Sequence, residues 1–144
     1  KIKSLSFRHK MLEENILKAL FQLGEESNNY YQGLTVDEIL NRRHFPISHL
    51  HWGLKWLKRQ GFVEENGGIW SLNEIGCEKG KRITRLHRLW EVYLTQYLNL
   101  AEDHVHDSAE TIEHIITPEL ERKLEELLNY PQVDPHHTII PYRS

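Results

Sequence analysis

Apolar residues at Met11, Ile16, Leu17, Leu20, Phe21 and Leu23 recur at helical spacing and are followed by Gly24, which predicts a first helix over Arg8–Leu23. The polar, asparagine-rich stretch from Glu25 to Gly33 predicts a loop. Thr35 stands where it can cap a short helix running to Asn41, with Asp37 and Glu38 in the first turn favouring the helix dipole. Pro46 opens a third helix whose stripe of Leu50, Leu54 and Leu57 runs toward Gln60, and Gly61 stops it. Phe62–Glu65 and Ile69–Leu72 then flank Asn66-Gly67-Gly68, the signal for a short β-hairpin. Three helices followed by a hairpin is the order of a winged helix-turn-helix.

From Asn73, a candidate cap, the pattern is helical again, and Ile83, Leu86, Leu89, Trp90, Tyr93, Leu94 and Tyr97 form a broad apolar face. A face that wide exceeds what one small neighbour needs, so Leu86, Leu89, Trp90 and Tyr93 are expected to meet a second subunit. A turn is expected at Asn99-Leu100, a helix from Glu102 to Ile115, and a further helix from Thr117-Pro118 to near Tyr130-Pro131. The tail from Gln132 to Ser144 reads as irregular. The fold class is therefore mainly α: a winged helix-turn-helix over residues 1–82, with a small hairpin wing, and an all-helical domain over residues 83–144.

Composition narrows the class. The 144 residues are 39% hydrophobic, with no apolar run of the ~20 residues a membrane helix needs and no opening signal-peptide stretch, which points to a cytoplasmic setting. The lone Cys77 excludes an internal disulfide framework and a multi-cysteine zinc ribbon. The net charge of -3 conceals an asymmetry: residues 1–82 carry 13 Lys+Arg against 10 Asp+Glu, and residues 83–144 carry 5 against 11. Six of the ten histidines also lie in the acidic part. One half is thus suited to an anionic or protein partner and the other to cations.

The candidate chemistry sits in that acidic half. His106, Glu110, Glu113 and His114 stand at i, i+4, i+7 and i+8, within roughly 100° of one helix face. His87 and Glu91 share a face of the preceding helix. Antiparallel packing of the two helices would gather three imidazoles and three carboxylates, a nitrogen and oxygen set suited to a divalent first-row metal. The alternative is a solvated acidic face with i,i+4 His/Glu pairs, but six such residues on consecutive helices favour the metal. His104 falls on another side and reads as a surface residue. A zinc hydrolase using His87, Glu91 and His106 ranks behind a non-enzymatic sensor, because no general base, oxyanion donor or substrate pocket can be named.

The segments Arg85–Glu91, His104–His114, Thr117–Leu120 and Val133–His136 resemble the metal-binding and dimerisation domain of the DtxR/MntR metalloregulators, and the resemblance extends more loosely back to Asn15. It implies one metal site at His87, Glu91 and His106 and another at Glu110, Glu113 and His114. Glutamate at 110 resembles the manganese-responsive branch, so Mn²⁺ or Fe²⁺ is the implied metal, with Zn²⁺ able to bind in vitro. The chain departs from the family on the first helix. Asn15 stands where a stronger ligand is usual, leaving a weak carbonyl donor, and Lys18 stands where the manganese branch has glutamate. Lys18 is either an exposed helix residue or a cation that neutralises Glu110 or Glu113.

The third helix departs as well. Its outer side carries Trp52, Lys55, Trp56 and Arg59, with His49 and His51 nearby, and two tryptophans suit a protein surface better than base edges and phosphates. One of them packing back onto the wing is an equal alternative. The altered first-helix positions Asn15 and Lys18, together with Leu89–Leu94 and Asp103–His106, resemble the metalloregulator-type cytosolic domain fused to some manganese, zinc and iron ABC transporter permeases. A start without methionine fits excision from such a chain. The expected function is a homodimeric Mn²⁺- or Fe²⁺-responsive regulatory domain, at the cytosolic membrane face if fused. Its partners are then the permease part and the transporter; a free-standing repressor would instead bind operator DNA.

Overall fold

The computed structural model describes residues 2–98, 109, 110, 113 and 117–143. In order, these form α1 (Ile2–Ser27), α2 (Val36–Arg42), α3 (Ile47–Gln60), β1 (Val63–Asn66), β2 (Ile69–Leu72), α4 (Glu74–Leu98) and α5 (Pro118–Leu127). The expected helix over residues 102–115 and the turn at 99–100 fall mostly outside the described residues; Ala109 and Glu110 are helical. The chain divides into two compact units, residues 1–81 and 82–144.

In the first unit the local signals decide the elements. Thr35 and Glu38 form a reciprocal capping box at the start of α2, each satisfying the other's backbone N–H. Gly61 ends α3 in the left-handed conformation at φ 84°. Gly67 and Gly68, at φ 55° and 81°, turn β1 into β2 with Val63 opposite Leu72 and Asn66 opposite Ile69. Leu34 adds a bridge to Trp70, exchanging both backbone hydrogen bonds, so the wing is three strands wide at that point. Ile16, Leu17, Leu20, Leu50, Leu54 and Leu57 are almost wholly buried, and α1 and α3 meet at Gly53, where a Cβ would lie 2.4 Å from Ile16 Cδ1.

The first helix is longer than the expected Arg8–Leu23. Gly24 does not end it; α1 continues to Ser27, and Asn28 takes the left-handed turn at φ 55°. Gly24 is required for packing instead, since a Cβ there would meet Tyr30 at 2.7 Å, and Tyr30 stacks on Phe21.

The second unit is built on the later part of α4. Leu89, Val92, Leu124, Leu128 and Ile140 form its core, with Trp90, Tyr93 and Tyr142 packed against it. Thr117 caps α5 through Leu120 N–H, with Pro118 in the first turn. An ion-pair network joins α4 to α5 and the tail. Arg82 and Arg85 donate to Glu121 at 3.0 and 2.6 Å, and Arg143 reaches both Glu121 and Glu125. Leu86 and Leu89 are buried at 1% and 0% inside the protomer, so they have no surface left for a second subunit. Helical periodicity marks a buried face without saying what buries it, and here the chain's own core claims these two.

Candidate metal centre

His87 and Glu91 are one turn apart on α4 and both are buried. Glu113 Oε1 lies 2.5 Å from His87 Nδ1; a carboxylate only accepts, so Nδ1–H donates. The same ring presents Nε2 at 3.3 Å from Glu91 Oε2. His87 thus stands between two carboxylates that the family pattern assigns to separate sites.

The tail completes the cluster. Ligand atoms of Glu91, Asp134 and His136 lie within 4.8 Å of one another, and His136 Nδ1 is 3.5 Å from Glu91 Oε2. Glu91 and Asp134 are buried while His136 is at the rim. Asp134 Oδ1 accepts from the backbone N–H groups of His136 and Thr138 at 2.9 and 2.8 Å, which fixes the carboxylate in its turn. Burial pushes the Asp134 carboxyl above its ordinary range, and neighbouring Glu91 pushes the same way, against the backbone donation. Arg88 anchors the turn from α4 by donating to the Ile139 carbonyl at 2.6 Å.

This donor set fits a dication. An octahedral ion with bonds of about 2.1 Å holds its donors about 3.0 to 4.2 Å apart, close to the spacing here. Two buried carboxylates side by side are each other's electrostatic penalty until a cation neutralises both. Asp134 and His136 were not anticipated as ligands. Their signal was a turn, Asp-Pro-His with a side chain bonded to the backbone two residues on, rather than a helical period.

Of the other expected residues, His106 and His114 lie outside the described residues, as does His104. Glu110 is half-buried. Asn15 and Lys18 belong to the first unit; Lys18 is 2% exposed, which overturns its reading as an exposed helix residue. On α3, Trp52 is 41% exposed and stacks on Trp56 at 5.8 Å, with the tilted His9 ring 4.6 Å away. Trp56 is half-buried and hydrogen-bonds the Glu13 carboxylate, which ties it to α1. His49, His51, Lys55 and Arg59 are exposed. Cys77 is buried, and burial raises its thiol pKa.

Comparison with known proteins places this arrangement. Residues 73–142 match the metal binding and dimerisation domain of the iron dependent repressors, so this part of the chain is of the DtxR/MntR metalloregulator type, a family of regulators and not of enzymes. Its fold resembles the solved manganese regulator SloR, with a TM-score of 0.78 and 27% identity over 90% of this chain and 59% of that one. It also resembles ScaR with bound Zn²⁺, at a TM-score of 0.72 and 27% identity over the same 90% and 59%. A probable metal transport system membrane protein of Chlamydia trachomatis serovar D (strain ATCC VR-885 / DSM 19411 / UW-3/Cx) is 34% identical over 92% of this chain, which spans 30% of that relative's length. Among the described residues, no helix is long and apolar enough to cross a membrane.

Proposed function

We propose that this chain is the cytosolic metal-sensing part of a transition-metal transporter permease, acting as a homodimer. Residues 1–82 form its winged-helix domain and residues 83–144 its metal-binding and dimerisation domain. The observation that carries the metal reading is the cluster of Glu91, Asp134 and His136, with His87 Nε2 alongside Glu91. These four side chains bind Mn²⁺ or Fe²⁺, and Glu113 holds the His87 ring in its ligating orientation. The family pattern adds His106, Glu110 and His114 as ligands, with Asn15 a weak one. The similarity to a metal transport membrane protein supports the permease setting. Trp90 and Tyr93, half-buried on α4, remain as the dimer surface.

In isothermal titration, Glu91→Gln and His136→Ala are expected to weaken Mn²⁺ binding at least about tenfold, roughly 1.4 kcal/mol. Unchanged titrations in both would overturn the metal centre. The second reading, a free-standing repressor, draws on α3, which has no acidic residue and exposes Lys55 and Arg59. Gel shifts at moderate salt separate the two: a metal-dependent, sequence-specific duplex complex would replace the permease reading, and weak or absent binding is expected.

A further inference from the structure

The donors of the proposed centre ride on two kinds of backbone. His87 and Glu91 are fixed by α4, whereas Asp134 and His136 are presented by a short turn in the tail. That turn is closed in several ways. Asp134 N–H donates to the Thr138 carbonyl and His137 N–H to the Asp134 carbonyl, each at 2.9 Å, and Val133 bridges Ile139. Two backbone N–H groups hold the Asp134 carboxylate through Oδ1, with its side chain against Glu91, so the turn fixes an oxygen donor at the cluster.

We infer that Asp134 sets the metal preference of this centre, its hard oxygen donor narrowing the advantage that thiophilic dications such as Zn²⁺ and Cd²⁺ hold over Mn²⁺ and Fe²⁺. The inference rests on the metal reading proposed above. A nitrogen and oxygen site binds zinc more tightly than manganese by intrinsic affinity, so a chain limits that advantage by withholding soft donors. This chain withholds them throughout its metal-binding half. Its one cysteine, Cys77, and its one methionine, Met11, both lie in residues 1–81, so residues 82–144 contain no sulfur. Asp134 is the position where a thiolate would change this most cleanly: cysteine keeps the negative charge and the short reach while replacing a hard donor by a soft one.

The test uses the Cys77→Ser chain as background, so that the only thiol is the one introduced. Asp134→Cys, Asp134→Asn and Glu91→Gln are compared by competitive titration with Mn²⁺ and Zn²⁺, and by absorption after Co²⁺ loading. Asp134→Cys is expected to move the Zn²⁺-to-Mn²⁺ affinity ratio at least about tenfold toward zinc and to give a thiolate-to-cobalt charge-transfer band. Asp134→Asn keeps an oxygen for the turn and so guards against misfolding; it is expected to weaken both metals while leaving their ratio near that of the background protein. An Asp134→Cys protein without the band, or with an unchanged ratio while Glu91→Gln still weakens binding, would overturn the role of Asp134 and leave the centre standing. If Glu91→Gln, Asp134→Cys and Asp134→Asn all titrate like the background protein, the centre itself falls.

Discussion

Tyr142 shows how single side chains tie the tail of the second unit down. Its hydroxyl donates to the Pro131 carbonyl at 2.6 Å, and burial, with Glu125 nearby, pushes its pKa up to about 12 from an ordinary 10.0. A raised pKa on this group means the folded protein keeps a proton that the unfolded chain has already lost. The stability it contributes is whole below pH 10 and is lost as pH climbs toward about 12. Thermal melts should therefore fall more steeply between about pH 9.5 and 11.5 for the native chain than for Tyr142→Phe, and parallel curves would refute this. Glu121 is the other critical residue. At 2% exposure it accepts from Arg82, Arg85 and Arg143, and Arg85 is itself buried. Removing its charge leaves buried guanidinium under-paired, so Glu121→Gln should cost about 3 kcal/mol in urea unfolding. A loss below about 1 kcal/mol would mark the network as solvent-screened.

Where an element's boundary was set by a local bond, the sequence revealed it. Thr35 with Glu38, Gly61, Gly67-Gly68 and Thr117-Pro118 act within a few residues of themselves, and each stands where its chemistry predicts. Gly24 misled because its lack of a side chain serves a contact with Tyr30, six residues away in sequence, rather than a helix end. Leu86 and Leu89 misled because a 3.6-residue period is the same whether a helix buries its face against its own chain or against a partner. Asp134 and His136 were not anticipated because a turn has no period to detect. Gly76 gives a measurable case of the same tertiary demand. A Cβ there would lie 2.0 Å from the Phe62 carbonyl oxygen, backbone that cannot yield cheaply, whereas Gly67 has nothing within 4 Å and only a φ of 55° to defend. Gly76→Ala should destabilise by about 2 kcal/mol or more and Gly67→Ala by about 1 kcal/mol, measured by denaturant midpoints. The reverse order would contradict the packing of the α4 start against the end of α3.

For the whole molecule, the two units should answer a metal differently. The four side chains of the cluster, His87, Glu91, Asp134 and His136, lie in residues 82–144, so their binding energy is delivered to that unit first. At a free Mn²⁺ concentration 100 times the dissociation constant, the gain is about 2.7 kcal/mol. Hydrogen exchange should then slow in α5 and in residues 132–140, while α2, α3 and the β1–β2 hairpin keep their metal-free rates. Equal slowing everywhere would mean that the two units unfold as one. Dimerisation belongs at this scale too: Trp90→Ala with Tyr93→Ala should shift the sedimenting species toward monomer at tens of micromolar, and an unchanged dimer would move the interface elsewhere.

The anchoring of the 133–139 turn by Arg88 also bears on how such a protein can diversify. The helix supplies the fold with its core residues and lends the centre only His87 and Glu91, whereas the turn supplies Asp134 and His136 and contributes little to the core apart from the adjoining Ile140. A substitution in the turn can therefore change the chemistry of the bound ion while the hydrophobic interior stays intact. The turn is thus a partly replaceable cassette: a residue that keeps an acceptor for the His136 and Thr138 N–H groups would retune the proposed centre without touching the core.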